Sequence, residues 1–199
     1  MKIIFFIKSE TVDISNYTIK NIPGSSGRLD VISRCILAAL LAKDGFEKNI
    51  QIWVFLDKYG TFIFNSEKLT YEIFPKNEIY LTDCFVDFLC NNSSNGEIKT
   101  NPLNTIEKSN LNIIKAIKQF IKANYKVFVL KEDGSDFLKL RKKFKDRDNI
   151  VFIIGSQEDK FLSSKELSTL KLPSLSIGKQ SYLASSVIRL LKLHLLLLP

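Results

Sequence analysis

The chain has 199 residues, of which 45% are hydrophobic and 25% charged, and this is enough for one substantial folded core. Its formal net charge of +8 favours polyanionic partners such as nucleic acid, although a basic proteome background would give the same value. Three cysteines without CxxC spacing argue against a zinc site, and a single histidine argues against a His-based triad, so we expect no metal.

The N-terminal half predicts a strand, a loop, a helix and a second strand, in that order. Residues 2–7 form an apolar run without a small-residue cleavage site, which is typical of a strand and not of a signal peptide. Residues 10–22 are polar and loop-like, and apolar residues recur at helical spacing from Asp30 to Ala42. Residues 50–56 predict a strong strand. Shorter strands are predicted at 61–64 and 69–74, and residues 79–90 fit either a helix or a strand.

The C-terminal half alternates predicted helices and strands. The segment 91–104 is the clearest loop, and a continuous apolar run at 149–155 indicates a buried parallel strand. The last helix is predicted to start near Tyr182, with Ser181 as its cap. The other predicted elements are an amphipathic helix at 113–123, a strand at 126–130, a turn at 132–136, a basic helix at 137–147 and a short strand within 172–178.

This alternation predicts an α/β fold with a mainly parallel sheet flanked by helices. No repeat or linker divides the chain, so we expect a single domain over residues 1–199. The apolar C-terminal segment is too short to span a bilayer and contains Arg189 and Lys192, which favours a buried or interface helix. We therefore expect a soluble cytoplasmic protein without a membrane segment.

Three predicted strands end in segments that contain glycine: VFVLKEDG, VFIIGSQ and SLSIGKQ. Ligands of open α/β sheets bind beyond the carboxyl ends of the strands, and glycine there permits close approach of a ligand to the backbone. Each of these glycines could instead simply form a turn. None of the segments has the spacing of a P-loop or of a dinucleotide fingerprint.

The stretch PGSSGRLDVISRC, residues 23–35, is long and unusual, and it resembles a motif of the archaeal tRNA pseudouridine-54 N1-methyltransferase family, within the SPOUT superfamily. FNSEKLTYEIFPKNEI partly matches the middle segment of that family, and SLSIGKQSYLASSVI resembles its cofactor-binding segment. The resemblance covers nearly the whole chain. It departs from the family after Gly155, where Ser156 and Gln157 lead into a shortened loop, and before the last helix, where a His and a Cys are missing.

The resemblance implies S-adenosylmethionine as cofactor, tRNA as substrate and a homodimer whose sites lie beside the subunit interface. It also implies a C-terminal trefoil knot, with the knotted cofactor-binding half at about residues 126–199. Two alternatives stay open: a related methyltransferase acting on another RNA nucleotide, and a non-catalytic dimeric RNA-binding protein of the same fold.

The resemblance implies catalytic roles for Arg28 and Asp30. Arg28 would hold a phosphate or the uracil carbonyls, and Asp30 would orient Arg28 or accept a hydrogen bond from N1–H of the target base. Residue spacing alone favours a structural alternative, in which Asp30 caps the helix and pairs with Arg34 four residues later, while Arg28 is solvated.

Cofactor and RNA contacts are assigned on the same basis. Arg28, Arg34, Lys99 and Lys108 are the candidate RNA-binding residues, while the basic residues between 139 and 147 fit a solvated face equally well. For most of the leucines and isoleucines among the cofactor candidates, ordinary sheet core is the alternative. The candidate cofactor-binding residues are Leu130, Gly134, Ile154, Gly155, Leu175, Ser176, Ile177, Leu183 and Ala184.

Overall fold

The computed structural model describes residues 1–91, 101–141, 144, 148–155 and 160–197, and it contains a seven-stranded sheet with helices on both faces. The strands are β1 (Lys2–Ser9), β2 (Ile50–Leu56), β3 (Gly60–Asn65), β4 (Glu107–Ser109), β5 (Lys126–Asp136), β6 (Asn149–Ile154) and β7 (Ser174–Ser176). The helices are α1 (Ile22–Ser25), α2 (Leu29–Leu40), α3 (Glu78–Asn91), α4 (Ile113–Lys122), α5 (Phe137–Leu140), α6 (Lys165–Ser168) and α7 (Ala184–Lys192), which continues as a π-helical turn over Leu193–Leu197.

The strand order is β4-β3-β2-β1-β6-β5-β7. The pairs β1–β2, β1–β6, β5–β6 and β5–β7 are parallel, whereas β2–β3 and β3–β4 are antiparallel. The predicted α/β fold with a mainly parallel sheet is therefore confirmed. The carboxyl ends of β5, β6 and β7 meet at one edge of the sheet, as parallel pairing requires.

The centre of the sheet is buried on both faces, which explains the continuous apolar runs of β1 and β6. Ile3 and Phe5 of β1 pack into the core beneath α2, α3 and α7. Ile4 and Phe6, which point to the opposite face, pack into a second core beneath α4 and α6. Alternate side chains of one strand thus supply two cores, so the strand has no polar face.

Two predictions for the middle of the chain are changed by the structure. The strand predicted at 69–74 is wrong, because these residues form turns in which the amide of Phe74 donates to the carbonyl of Thr70. The place beside β3 is taken instead by β4. The loop predicted at 91–104 does not include Asn91, which still belongs to α3, and residues 92–100 lie outside the described residues. The ambiguous segment 79–90 is helical and lies within α3.

Further boundaries differ from the predictions. Helix α2 ends at Leu40, so Ala42 lies outside it and is exposed. The last helix starts at Ala184 with Leu183 as its N-cap and without a side-chain cap, so the capping role predicted for Ser181 is wrong. The predicted loop at 10–22 includes a short 3₁₀ turn at Ile19–Asn21. The predicted basic helix is helical over Phe137–Leu140, which form α5, and Phe144 is not helical. Residues 142–143 and 145–147 lie outside the described residues.

The C-terminal helix packs against α2. Ile188 and Leu191 are fully buried, and the ammonium of Lys192 donates to the carbonyls of Ala38 at 2.9 Å and Leu41 at 2.8 Å. A buried lysine therefore satisfies two carbonyls at the end of α2 and fixes α7 beside it. Among the described residues, no helix has the length and apolar character needed to cross a bilayer.

Candidate functional site

A cavity of about 800 Å³ lies at the carboxyl ends of β5, β6 and β7. It is open to solvent, and it is lined by residues 130–133 of β5, by Ile154 of β6, and by Leu175 and Ser176 of β7. The structure brings eight of the nine candidate cofactor residues together at its wall, and these are Leu130, Ile154, Gly155, Leu175, Ser176, Ile177, Leu183 and Ala184.

The ninth candidate, Gly134, does not line the cavity. It lies in an outward bulge of β5, where Leu130 and Ser135 both pair with Leu175 of β7. The predicted turn at 132–136 is therefore wrong, because the strand does not end there. The chain stops pairing with β7 after Leu130 and pairs with it again from Ser135. A Cβ atom on Gly134 would lie 2.5 Å from the carbonyl carbon of Leu175, so only glycine permits this close packing of bulge and strand.

The bulge brings charged residues to the cavity that the sequence analysis did not assign. Lys131, Glu132 and Asp133 line its wall, together with Tyr182 from the segment before α7. Lys131, Glu132 and Asp133 belong to the segment VFVLKEDG, in which the sequence predicts the end of a strand and a turn at 132–136. The wall therefore combines apolar side chains at the strand ends with two carboxylates at the bulge.

A cluster of ionised side chains lies at the start of α2, beside this cavity. Val31 of α2 lines the cavity, and Arg28 and Arg34 lie about one turn before and after it. Asp30 is buried and holds both arginines. It accepts hydrogen bonds from Nε and Nη2 of Arg28 at 3.2 and 3.3 Å, and from Nη2 of Arg34 at 3.1 Å.

The backbone also constrains Arg28. Its φ of 70° and ψ of 32° lie in the left-handed region, which costs free energy for a residue with a Cβ. The predicted pairing of Asp30 with Arg34 is confirmed. The predicted solvated Arg28 is wrong, because Arg28 also binds Asp30, and Asp30 does not cap the helix, whose N-cap is Arg28. The guanidinium of Arg28 is thereby fixed, with 29% of its side-chain surface exposed.

Glu78, the first residue of α3, adds a second carboxylate to the cluster. Its Oε2 lies 3.2 Å from Nε of Arg34. Burial raises the pKa of the Glu78 carboxyl, and the negative charge of Asp30 adds to the rise against the opposing effect of Arg34. No role is predicted for Glu78 from the sequence, although it lies in the segment FPKNEI, which partly matches the family's middle motif.

The remaining RNA-binding candidates lie elsewhere. Lys108 is on β4, at the far edge of the sheet from β5 and β7, with its ammonium 5.4 Å from the ring centroid of Phe88. Lys99 lies outside the described residues, as do Ser156 and Gln157 of the shortened loop. The structure therefore does not bring Lys108 together with Arg28 and Arg34.

Comparison with known proteins places these features in a family. Residues 1–198 match the model of a family described as "Putative SAM-dependent RNA methyltransferase". The tRNA (pseudouridine(54)-N(1))-methyltransferase of Pyrococcus abyssi is 29% identical over 204 residues, covering 96% of each chain. The enzyme of the same name from Thermococcus onnurineus is 24% identical, covering 96% of this chain and 95% of its own.

The fold is also similar to a solved structure, that of Archaeoglobus fulgidus Nep1 bound to S-adenosylhomocysteine. The TM-score is 0.64 at 16% sequence identity, and the alignment covers 98% of this chain and 97% of that one. This likeness shows the fold. The family model spans nearly the whole sequence, and the chain therefore belongs to this family of SAM-dependent RNA methyltransferases.

Proposed function

We propose that this protein methylates N1 of pseudouridine 54 in the T-loop of tRNA, with S-adenosylmethionine bound in the cavity at the ends of β5, β6 and β7. The main support for the proposal is that eight candidate cofactor residues line one cavity. Val31 of α2 also lines this cavity, and it directly follows Asp30 of the arginine cluster. The names of the Pyrococcus and Thermococcus relatives support this choice of nucleotide.

The lining of the cavity suits this cofactor. Leu130, Ile154 and Ile177 offer apolar surface for an adenine ring, and the absence of a side chain at Gly155 leaves backbone accessible. The carboxylates of Glu132 and Asp133 suit the ribose hydroxyls and the positive charges of the amino-acid part. When bound, S-adenosylmethionine supplies an activated methyl group.

The arginines suit the other reactant. Arg28 and Arg34 are held in place by Asp30, and each has roughly a third of its side-chain surface exposed. Guanidinium groups fixed in this way bind uracil carbonyls or a phosphate, and they stabilise negative charge that develops on the ring. Because the base is positioned before reaction, the protein contributes chiefly by orienting it.

The proposal extends to the dimer and the knot that the resemblance implies. Leu193 and Leu196, at the end of the chain, are exposed in this single chain, as is Leu183 beside the cavity. An apolar surface of this kind would be covered by a second copy. We expect light scattering to give the mass of a dimer at micromolar concentration, and a monomer would contradict this part of the proposal.

Transfer of labelled methyl to tRNA tests the function itself. We expect a tRNA with pseudouridine at position 54 to gain one methyl group, which nucleoside mass spectrometry assigns to N1-methylpseudouridine. An otherwise identical tRNA with uridine at position 54 should gain none. Methylation at a different nucleotide would support the related-enzyme alternative, and no methylation of either tRNA would support the non-catalytic one.

A further inference from the structure

We propose that Glu78 is the residue that accepts the N1 proton of the target base, so that it both recognises pseudouridine and deprotonates it. This inference rests on the proposed function. It adds the residue that distinguishes pseudouridine from uridine, because uridine has a C5–H, which is not a useful donor, where pseudouridine has N1–H.

The carboxylate of Asp30 is fully engaged by the two arginines. It accepts three N–H bonds from Arg28 and Arg34, and only 4% of the Asp30 side-chain surface is exposed. A base arriving from solvent therefore cannot replace these contacts without releasing both arginines. Asp30 positions the arginines, and a different group must receive the proton.

The carboxylate of Glu78, in contrast, is accessible to a ligand. It contacts Arg34 as an ion pair, and within the described part of the chain Nε of Arg34 makes no hydrogen bond. The Glu78 side chain is 38% exposed, so its oxygens can accept a donor from a ligand. Burial makes its carboxylate more basic than an ordinary glutamate, which suits a proton acceptor.

The backbone of Glu78 is held against α2 through Thr82. Thr82, one turn further along α3, has its buried hydroxyl 2.8 Å from that of Ser33 on α2 and 2.7 Å from the carbonyl of Glu78. This contact fixes the first turn of α3 beside the arginine cluster. Arg28, Arg34 and Glu78 together offer donors for ring carbonyls and an acceptor for a ring N–H, which is the pattern of a uracil-type ring.

The proposed step transfers one proton and one methyl group. The N1–H bond breaks and its proton goes to a carboxylate oxygen of Glu78, while the nitrogen keeps the electron pair. That pair forms the new bond from nitrogen to the methyl carbon, and the electrons of the carbon–sulfur bond leave with the sulfur of the donor. The product ring is neutral, and Glu78 later releases the proton to water.

The test uses the full chain, S-adenosylmethionine and a tRNA with pseudouridine 54. We expect Glu78→Gln to lower the single-turnover methylation rate by about 100-fold or more, with RNA affinity changed by less than about threefold, because an amide accepts a hydrogen bond but takes no proton. The wild-type rate should level off above the pKa of Glu78, whereas the rate of the variant should keep rising with pH. Glu72→Gln, an exposed glutamate in the preceding turn, is the matched control.

A binding readout separates recognition from a structural role. The wild type should bind tRNA with pseudouridine 54 more tightly than tRNA with uridine 54, and Glu78→Ala should remove that preference. A Glu78→Gln rate within about threefold of wild type would overturn the inference. Equal losses of rate and affinity, without a change in pH profile, would also overturn it and leave Glu78 as a support for Arg34. If the wild type itself methylates neither tRNA, the proposed function has failed.

Discussion

Gly155→Trp is expected to abolish binding of S-adenosylmethionine while the protein stays folded. Gly155 follows β6 directly and lines the cavity. A Cβ atom there would lie 2.8 Å from Cδ1 of Leu162, the far end of a flexible side chain. Alanine can therefore be accommodated by a shift of Leu162, but an indole must enter the cavity. We expect calorimetric titration to show a loss of affinity of at least about 100-fold, or about 2.7 kcal/mol.

The matched control for this variant is Gly45→Trp. A Cβ atom on Gly45 would meet nothing within 4 Å, and the residue lies away from the cavity lining. The affinity of the Gly45→Trp variant for S-adenosylmethionine should equal that of the wild type. The affinity of the Gly155→Ala variant should lie between those of the two tryptophan variants. A folded Gly155→Trp variant with wild-type affinity would show that the donor binds elsewhere.

Asp30→Asn is expected to lower the methylation rate by about 10²–10³-fold, as losing a charge-stabilising contact does in other active sites. The carboxylate holds two guanidinium groups at once, and an amide of the same shape can accept hydrogen bonds at only one atom. Arg28 and Arg34 would then repel each other and separate. The free energy of unfolding should also fall, by about 1–3 kcal/mol, because a buried hydrogen-bonded charge is lost.

Asp57→Asn is a suitable control for the charge change. Asp57 pairs with Lys8 on the surface, with 48% of its side chain exposed, so its removal should change the free energy of unfolding by no more than about 1 kcal/mol. Its methylation rate should match that of the wild type. An Asp30→Asn variant with wild-type turnover would show that the two arginines do not act on the substrate.

The cavity could be anticipated from the sequence because it depends on local patterns. Continuous apolar runs such as 149–155 indicate strands buried on both faces, and parallel strands place their carboxyl ends at one edge. In the structure, residues of all three glycine-containing strand ends line one cavity at that edge. What each residue contacts there came from the family resemblance and from the structure.

Other features could not be read from local sequence because they depend on residues far apart in the chain. The bulge of β5 exists because Leu130 and Ser135 both pair with Leu175. The composition of residues 132–136, taken alone, predicts a turn. Glu78 forms an ion pair with Arg34, and the ammonium of Lys192 donates to a carbonyl near the carboxyl end of α2. Polar residues of this kind have no periodic signal in their own segments.

A crystal structure of the protein with S-adenosylhomocysteine would show whether the methyl donor binds in the cavity at the ends of β6 and β7. We expect density for the adenosine between the bulge of β5 and the chain segments that follow β6 and β7, in contact with Gly155 and Ile177. The sulfur should be directed towards Val31 and Arg28. The same density would trace the chain through the expected knot. Clear density for the ligand at any other place on the molecule, with this cavity empty, would show that the proposed donor site is wrong.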